Sequence, residues 1–313
     1  MANATGANTK VYYSAETVIG TTDPNPEFKE LPYSGSTLEA SIEAIEDERL
    51  GGRDVKCHTQ GNMSVAGDVN SFLSYGDYDD LLAAAFCGSW EADTPLTGTD
   101  ELKNGIERKG FTFVHEYNDF SPVGYEYFTG CEVNTLNIEM TPGQNVAVTF
   151  GIVGQDSPGD EFTKITGSTY VASSSECPFA GFRATIEIDG QMVAEATQLS
   201  TTIENGIEGS YVLGSKTVAS NKSIGKFRAT GSLTVQFVDY TLYQKYRRNE
   251  SFDMVYSFEN KDGSTLTIRQ PNTKITSASR PISGDGEIIL SGDLKMLKDE
   301  TEGATLIAQR TTA

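Results

Sequence analysis

One stretch, residues 62–90, restricts the fold of this chain more than any other, because its pattern switches abruptly from strand to helix. From Met63 to Val69, apolar residues and glycine alternate with mostly polar ones, which is the period of two expected for a half-buried strand. Six apolar residues then follow each other over residues 81–86. The stretch therefore predicts one strand that leads into one short helix.

The ends of this helix are predicted by the residues around it. We interpret Asp77 as the N-cap, and Asp79 and Asp80 as first-turn acids at the positive end of the helix dipole. Gly88 is the expected stop. The same aspartates could begin a calcium loop, but the glycine and glutamate that an EF-hand loop requires further on are absent. We therefore prefer helix capping to metal binding.

Strand patterns dominate the rest of the chain, which contains 31 glycines. Short alternating runs separated by Gly, Pro and Asx turns predict a mainly β fold. We expect a hairpin at Pro142-Gly143, and a second at Asp189-Gly190 with Met192–Leu199 as its returning strand. Polar connections are expected over residues 46–61, 89–110 and 200–226.

The strand-to-helix unit occurs a second time, beginning near residue 226. Gly231 aligns with Gly67, and Asp239 aligns with Asp77, while flanking hairpins and a long loop recur in the same order. All-β chains reuse turns and alternation, so chance similarity is the competing explanation. Because five features recur in one order, we favour a duplication, with one domain over residues 1–160 and a second over residues 161–313.

The charge is strongly negative and unevenly distributed. The net charge of the chain is −20. Residues 1–160 hold 8 Lys and Arg against 26 Asp and Glu, a balance of −18, whereas residues 161–313 hold 16 against 18, a balance of −2. The net negative charge argues against an ordinary nucleic-acid binder, which needs a basic patch. Solubility alone explains the charge, or else a surface faces something negative without binding it.

No arrangement typical of catalysis, a metal or a cofactor is found in the sequence. The only histidines are His58 and His115, no two cysteines form a CxxC pair, and no phosphate-binding glycine motif occurs. We therefore predict no catalytic residues, no metal site and no cofactor. The sequence also shows no apolar run long enough to span a membrane. We expect no export signal either.

The charged connection after residue 45 is the strongest candidate for a contact site. Such a long connection in a compact domain is often functional. A solvated loop is the alternative to a protein–protein contact in which complementary charges set the register. The candidate contact residues are Glu46, Asp47, Glu48, Arg49, Arg53, Asp54 and Lys56.

Three segments together resemble the tail tube, or major tail, proteins of long-tailed bacteriophages and prophages. They are ETVIG from residue 16, SGSTLEASIEAIEDERLGGR from residue 34, and VAGDVNSFLSYGDYDDLLAAAFCGSW from residue 65, in which YGDYDDLL is the most specific part. The resemblance covers residues 10–155 well, and the second half through the repeat.

The resemblance implies two tandem β-sandwich or barrel domains, each with one short flanking helix and long loops that reach a neighbouring ring. Rings of three copies with pseudo-six-fold symmetry would stack into a tube through which DNA passes without specific binding. Implied partners are the chain itself, the tail terminator, the tape measure and the distal tail protein. The chain would be made in the bacterial cytoplasm and reside in the virion tail.

The charge asymmetry leaves two possibilities for such a tube: the excess acid lies outside the bore, or the bore alternates in charge. A different class of function, a virion adhesin, decoration protein or carbohydrate-binding β-sandwich, predicts an exposed aromatic cluster and no polymerisation.

Overall fold

The computed structural model describes residues 3–46, 49, 54–55, 57–158, 162–174, 176–218, 222–282 and 285–313. In this part of the chain, nineteen strands and two α-helices form a mainly β protein, which confirms the predicted fold class. In the first half the elements are β1 (Thr9–Glu16), β2 (Glu27–Glu30), β3 (Gly35–Ser36), β4 (Glu39–Glu46), β5 (His58–Phe72), α1 (Asp79–Ala85), β6 (Trp90–Glu91), β7 (Thr99–Lys103), β8 (Gly110–Tyr117), β9 (Gly124–Met140) and β10 (Ala147–Val153). In the second half they are β11 (Thr169–Val171), β12 (Ala184–Ile188), β13 (Gln191–Met192), β14 (Ala196–Glu204), β15 (Arg228–Gln236), α2 (Thr241–Arg248), β16 (Phe252–Glu259), β17 (Thr265–Ser279), β18 (Ile289–Met296) and β19 (Ile307–Thr311).

Alternation along the strands explains why they form. In β5, Val65 and Val69 are fully buried while Ser64 and Asp68 face outward, as the period of two requires. β15 repeats the pattern, with Ala229, Leu233 and Val235 buried. These inward faces join one continuous apolar core that runs through both halves. A smaller aromatic cluster of Tyr12, Phe28, Val114 and Tyr127 lies beside it.

Each half contributes a block of four strands in the same arrangement. In the first half the order is β4-β5-β10-β9, and in the second it is β14-β15-β18-β17, with every neighbouring pair antiparallel. The blocks are joined because β9 also pairs with β14, over six residue pairs from Leu199↔Met140 to Glu204↔Thr135. A single run of eight strands therefore crosses the boundary between the halves.

The two blocks share local details as well. The β9–β10 pair skips Asn134, and the β17–β18 pair skips Thr276, so that a bulge occurs at the matching place in each block. These are likenesses of local geometry, and the division into two domains at residue 160 stays a prediction.

The helices follow β5 and β15 where the sequence predicts them, but the proposed cap was wrong. α1 begins at Asp79 with Tyr78 in the N-cap position and no side-chain cap. The carboxylate of Asp77 instead accepts hydrogen bonds from the Ser74 hydroxyl and the Ser174 amide, so it fixes the corner before the helix. Asp79 and Asp80 do lie in the first turn. In the second unit, the Asp239 carboxylate accepts a bond from the Thr241 amide, 2.8 Å away.

Two further expectations were wrong. Residues 89–110 are not simply a polar loop, because β7 lies there and pairs antiparallel with the C-terminal strand β19, with Leu102 opposite Ala308. The strand returning from Asp189-Gly190 is only β13, two residues long. β14 turns away from it to pair with β15 and β9.

Candidate assembly site

The run of eight strands has one face that packs on the core and one polar face, which we call the open face. In β10 and β9, Val148, Phe150 and Ile138 are buried, while Thr149 and Asn137 between them are only half-buried. The same alternation holds in β14, β15 and β18. An antiparallel sheet that buries only one side normally presents its other side to solvent.

Small hydroxyl and amide side chains tie neighbouring strands together across the open face. Thr149 Oγ1 donates to Asn70 Oδ1 at 2.8 Å, and Thr202 Oγ1 donates to Asn137 Oδ1 at 2.9 Å. The second of these bonds crosses the junction between the halves. Further along, the hydroxyls of Ser200 and Ser232 lie 2.8 Å apart. The open face is thus a polar surface whose side chains are hydrogen-bonded to one another across the strands.

Charge on the open face follows the asymmetry of the sequence. In the first block it carries Glu39, Asp68 and Glu139, and the strand segments 39–46, 58–72, 135–140 and 147–153 contain no lysine or arginine. In the second block, Glu204 and Asp293 are accompanied by basic side chains. Those basic residues are Arg228, Lys274 and Lys295.

Both ends of the eight-strand run are open in the described part of the chain. β4 pairs with β5 on one side only, and residues 274–279 of β17 pair with β18 on one side only. Two isoleucines near these edges are exposed: Ile42 at 46% and Ile282 at 81%. Free strand edges bearing apolar side chains readily pair with another chain.

The β4–β5 hairpin carries the predicted contact residues. Glu46 ends β4 directly opposite His58, and Arg49 and Asp54 are exposed beyond it. Asp47, Glu48, Arg53 and Lys56 lie outside the described residues. We call residues 42–62 the arm, because nearly all described residues there are exposed.

The long loop of the second half contacts the base of the arm, where Lys216 Nζ donates to Gln60 Oε1 at 3.1 Å. The Tyr211 hydroxyl donates to the Met63 carbonyl at 3.1 Å, and Met63 N donates to the Lys216 carbonyl at 2.8 Å. The base of the arm is therefore attached to the second half.

A buried ion cluster fastens the same loop to the first half. Lys222 Nζ lies 3.1 Å from Glu132 Oε1, and the two side chains are 0% and 2% exposed. The ammonium also donates to the carbonyls of Gly130 and Val153. Arg108 donates two hydrogen bonds to the same carboxylate, from Nε and from Nη2, both at 2.8 Å. Burial lowers the pKa of Lys222, and the bond to Glu132 raises the pKa of Arg108.

Sequence reasoning missed this cluster and the junction between β9 and β14. Lys222 lies in a polar stretch that gives no sign of burial, and its partners are distant in the chain. Of the candidate residues, Gly67 and Gly231 have one contact in common: a Cβ at either would lie 2.2 Å from a backbone carbonyl oxygen, that of Thr37 and that of Ser200 respectively. Their equivalence in a repeat stays a prediction. Asp77 and Asp239 differ in their partners: Asp77 accepts from the Ser74 hydroxyl and the distant Ser174 amide, whereas Asp239 accepts from the Thr241 amide at the start of α2.

A mainly β chain with a polar sheet face, and with two strand edges left open among its described residues, is suited to pairing with another chain. A comparison with protein families agrees: the model of the phage tail tube protein family matches residues 6–296, nearly the whole chain. The chain belongs to the phage tail tube protein family. A search of curated proteins found no match.

Membership makes this tail tube protein a structural component of a phage tail. Among the described residues, no group of His, Cys, Asp and Glu side chains is placed to hold a metal ion. None of the described helices has the length and apolar character needed to cross a membrane.

Proposed function

We propose that this tail tube protein forms closed rings of three copies, that the rings stack into the tube, and that the open face lines the bore. The observation that carries the proposal is the β9–β14 junction. It shows how one four-stranded block adds to another edge to edge, and the chain has a free edge at each end for repeating that step. Three copies with two blocks each give a pseudo-six-fold ring.

The open face suits the passage of DNA. Its hydroxyl and amide groups bond each other across the strands, so these groups offer few free donors to a phosphate. The acids of the first block repel the duplex, and the mixed charges of the second block limit strong binding. Under this proposal the bore alternates in charge, block by block, and specific DNA binding and catalysis are absent.

The arm is proposed to contact the neighbouring ring. Its described residues are nearly all exposed, and its sequence carries charges of both signs, from Glu46 to Asp54, that can pair with complementary charges and set the rotation between rings. Contacts at the ends of the tube would be made with other tail proteins: the terminator, the tape measure and the distal tail protein.

Electron microscopy of the purified chain at high concentration tests the function. We expect rings and hollow tubes. A protein that stays monomeric under all conditions overturns the proposal.

A variant that lacks residues 47–57 tests the arm. Because Glu46 and His58 are directly opposite, an Asn-Gly turn can replace the missing residues and keep the hairpin. The variant should fold and form rings that do not stack. Normal tubes from it would refute the stacking role while leaving the ring intact.

One observation favours the alternative of a sugar-binding virion module. Tyr117, Phe120, Tyr125 and Phe162 line a shallow apolar depression, in which Phe120 and Phe162 are about half exposed. A monomer that binds oligosaccharide, and loses this binding in Phe162→Ser, would support that function in place of the tube.

A further inference from the structure

We propose that β17 of one copy pairs with β4 of the next in a single register, with Ala278 opposite Ala40 and Ser277 opposite Ser41. The inference rests on the proposed ring and adds the residues that meet in it. Its partner is a second copy of this chain.

The template is the junction inside the chain. There Leu136 of β9 lies opposite Ile203 of β14, and Thr135 lies opposite Glu204. If the two blocks are equivalent, the same antiparallel pairing recurs between copies once the matching residues of β17 and β4 are known.

Bulges identify the matching residues of β17. The extra residue in β9 is Asn134, and the extra residue in β17 is Thr276. The residue after each bulge is paired with the neighbouring strand of the same block. Thr135 of β9 lies opposite Gly151 of β10, and Ser277 of β17 lies opposite Asp293 of β18. Ser277 is therefore the counterpart of Thr135, and the next residues correspond one by one.

Two glycines identify the matching residues of β4. A Cβ at Gly67 would lie 2.2 Å from the Thr37 carbonyl oxygen, and a Cβ at Gly231 would lie 2.2 Å from the Ser200 carbonyl oxygen. Thr37 is therefore the counterpart of Ser200, a numbering difference of 200 − 37 = 163. The same difference makes Ser41 the counterpart of Glu204.

This register explains the exposed isoleucines. In this register Ile282 is the counterpart of Met140. Met140 pairs with β14 inside the chain and is only 6% exposed. Ile42 takes the place of Asn205, which is buried where it donates to the carbonyls of Ala85 and Val133. Pairing between copies would cover both isoleucines. Because β4 and β17 each already belong to a sheet, a slip of one residue would instead place core-facing residues of one strand opposite open-face residues of the other.

Disulfide trapping tests the register. In a background with Cys57→Ser and Cys177→Ser, which removes the two exposed cysteines, the pairs Ala40→Cys with Ala278→Cys and Ser41→Cys with Ser277→Cys are made separately. Wide and narrow pairs alternate along an antiparallel ladder, so one of these adjacent rungs has the spacing that a disulfide needs. The control, Ile42→Cys with Ala278→Cys, is displaced by two residues on the same face.

Each variant is assembled under reducing conditions, inspected by electron microscopy, and then oxidised. We expect one of the matched pairs to give covalent dimers and trimers and nothing larger, and the displaced pair to stay monomeric on a denaturing gel. Tubes that trap only the displaced pair, or trap neither matched pair, overturn the register and leave the proposed function standing. A parent chain that never forms rings or tubes overturns both.

Discussion

Glu132→Gln should destabilise the chain more than any change of a surface charge. The substitution removes the one carboxylate that neutralises Lys222, whose side chain is fully buried, and Arg108. An uncompensated buried charge costs about 3–5 kcal/mol. By contrast, Lys222→Met leaves Glu132 paired with Arg108 through two bonds of 2.8 Å. Its main loss is the ammonium's bonds to two carbonyls, worth about 1–3 kcal/mol.

The double variant shows whether the unpaired charge of Lys222 is what destabilises Glu132→Gln. If the stranded ammonium is what destabilises Glu132→Gln, removing the ammonium as well should recover part of the loss. Glu132→Gln with Lys222→Met is therefore expected to be more stable than Glu132→Gln alone. The matched control is Glu204→Gln, which breaks a 3.8 Å pair between exposed side chains, a type of pair worth about 0–1 kcal/mol.

Urea unfolding at a protein concentration below assembly measures all four variants. The single tryptophan, Trp90, reports on the fold, because its indole N–H donates to the Asp79 carbonyl and its ring stacks with Arg310. The reasoning is refuted if Glu132→Gln costs no more than Glu204→Gln. It is also refuted if the losses of the two single variants simply add in the double variant.

Three other perturbations have defined outcomes. Burial lowers the pKa of His115 to about 4, so the unfolded chain binds a proton that the folded chain excludes between about pH 6.5 and 4. Folding stability should fall by about 3 kcal/mol as the pH drops through this window, at ~1.4 kcal/mol per pKa unit, and His115→Phe should flatten the pH dependence of the urea midpoint. Gly67→Ala and Gly231→Ala force a Cβ against a backbone carbonyl oxygen and should each cost about 1–3 kcal/mol, whereas Gly35→Ala, with open space around it, should cost little in the same assay. Ile282→Asp should leave the monomer's urea midpoint unchanged but prevent ring formation in electron micrographs, and normal rings would exclude a role for this edge in closure.

Local sequence patterns correctly predicted the parts of the fold that depend on residues close together in the chain. The alternation of β5 and the apolar run of α1 bury the residues that these patterns predict, such as Val65 and Leu81. Predictions failed where the deciding partner is distant. The residues of β7, TDELK, have no strong strand pattern and are held by β19, about two hundred residues away. Lys222 looks like a loop lysine until the fold places Glu132 beside it. The candidate charged loop was located between the correct strands, but sequence could not show that nearly all the described residues of the hairpin are exposed.

The two helices differ in a way that the proposed ring explains. Leu81–Ala85 of α1 are all buried, and Asn205 from the second half bonds the carbonyl of Ala85, whereas α2 has no fully buried residue. Similar local patterns would not by themselves give such different environments. The difference arises because α1 lies beside the junction that β14 fills, while α2 lies beside the free edge of β17. In a closed ring the next copy would bring Ile42 to the side of α2, as Asn205 is brought to α1. The exposure of α2 and the free edge of β17 then have the same cause: the neighbouring copy that would cover both in the ring is missing from the single chain.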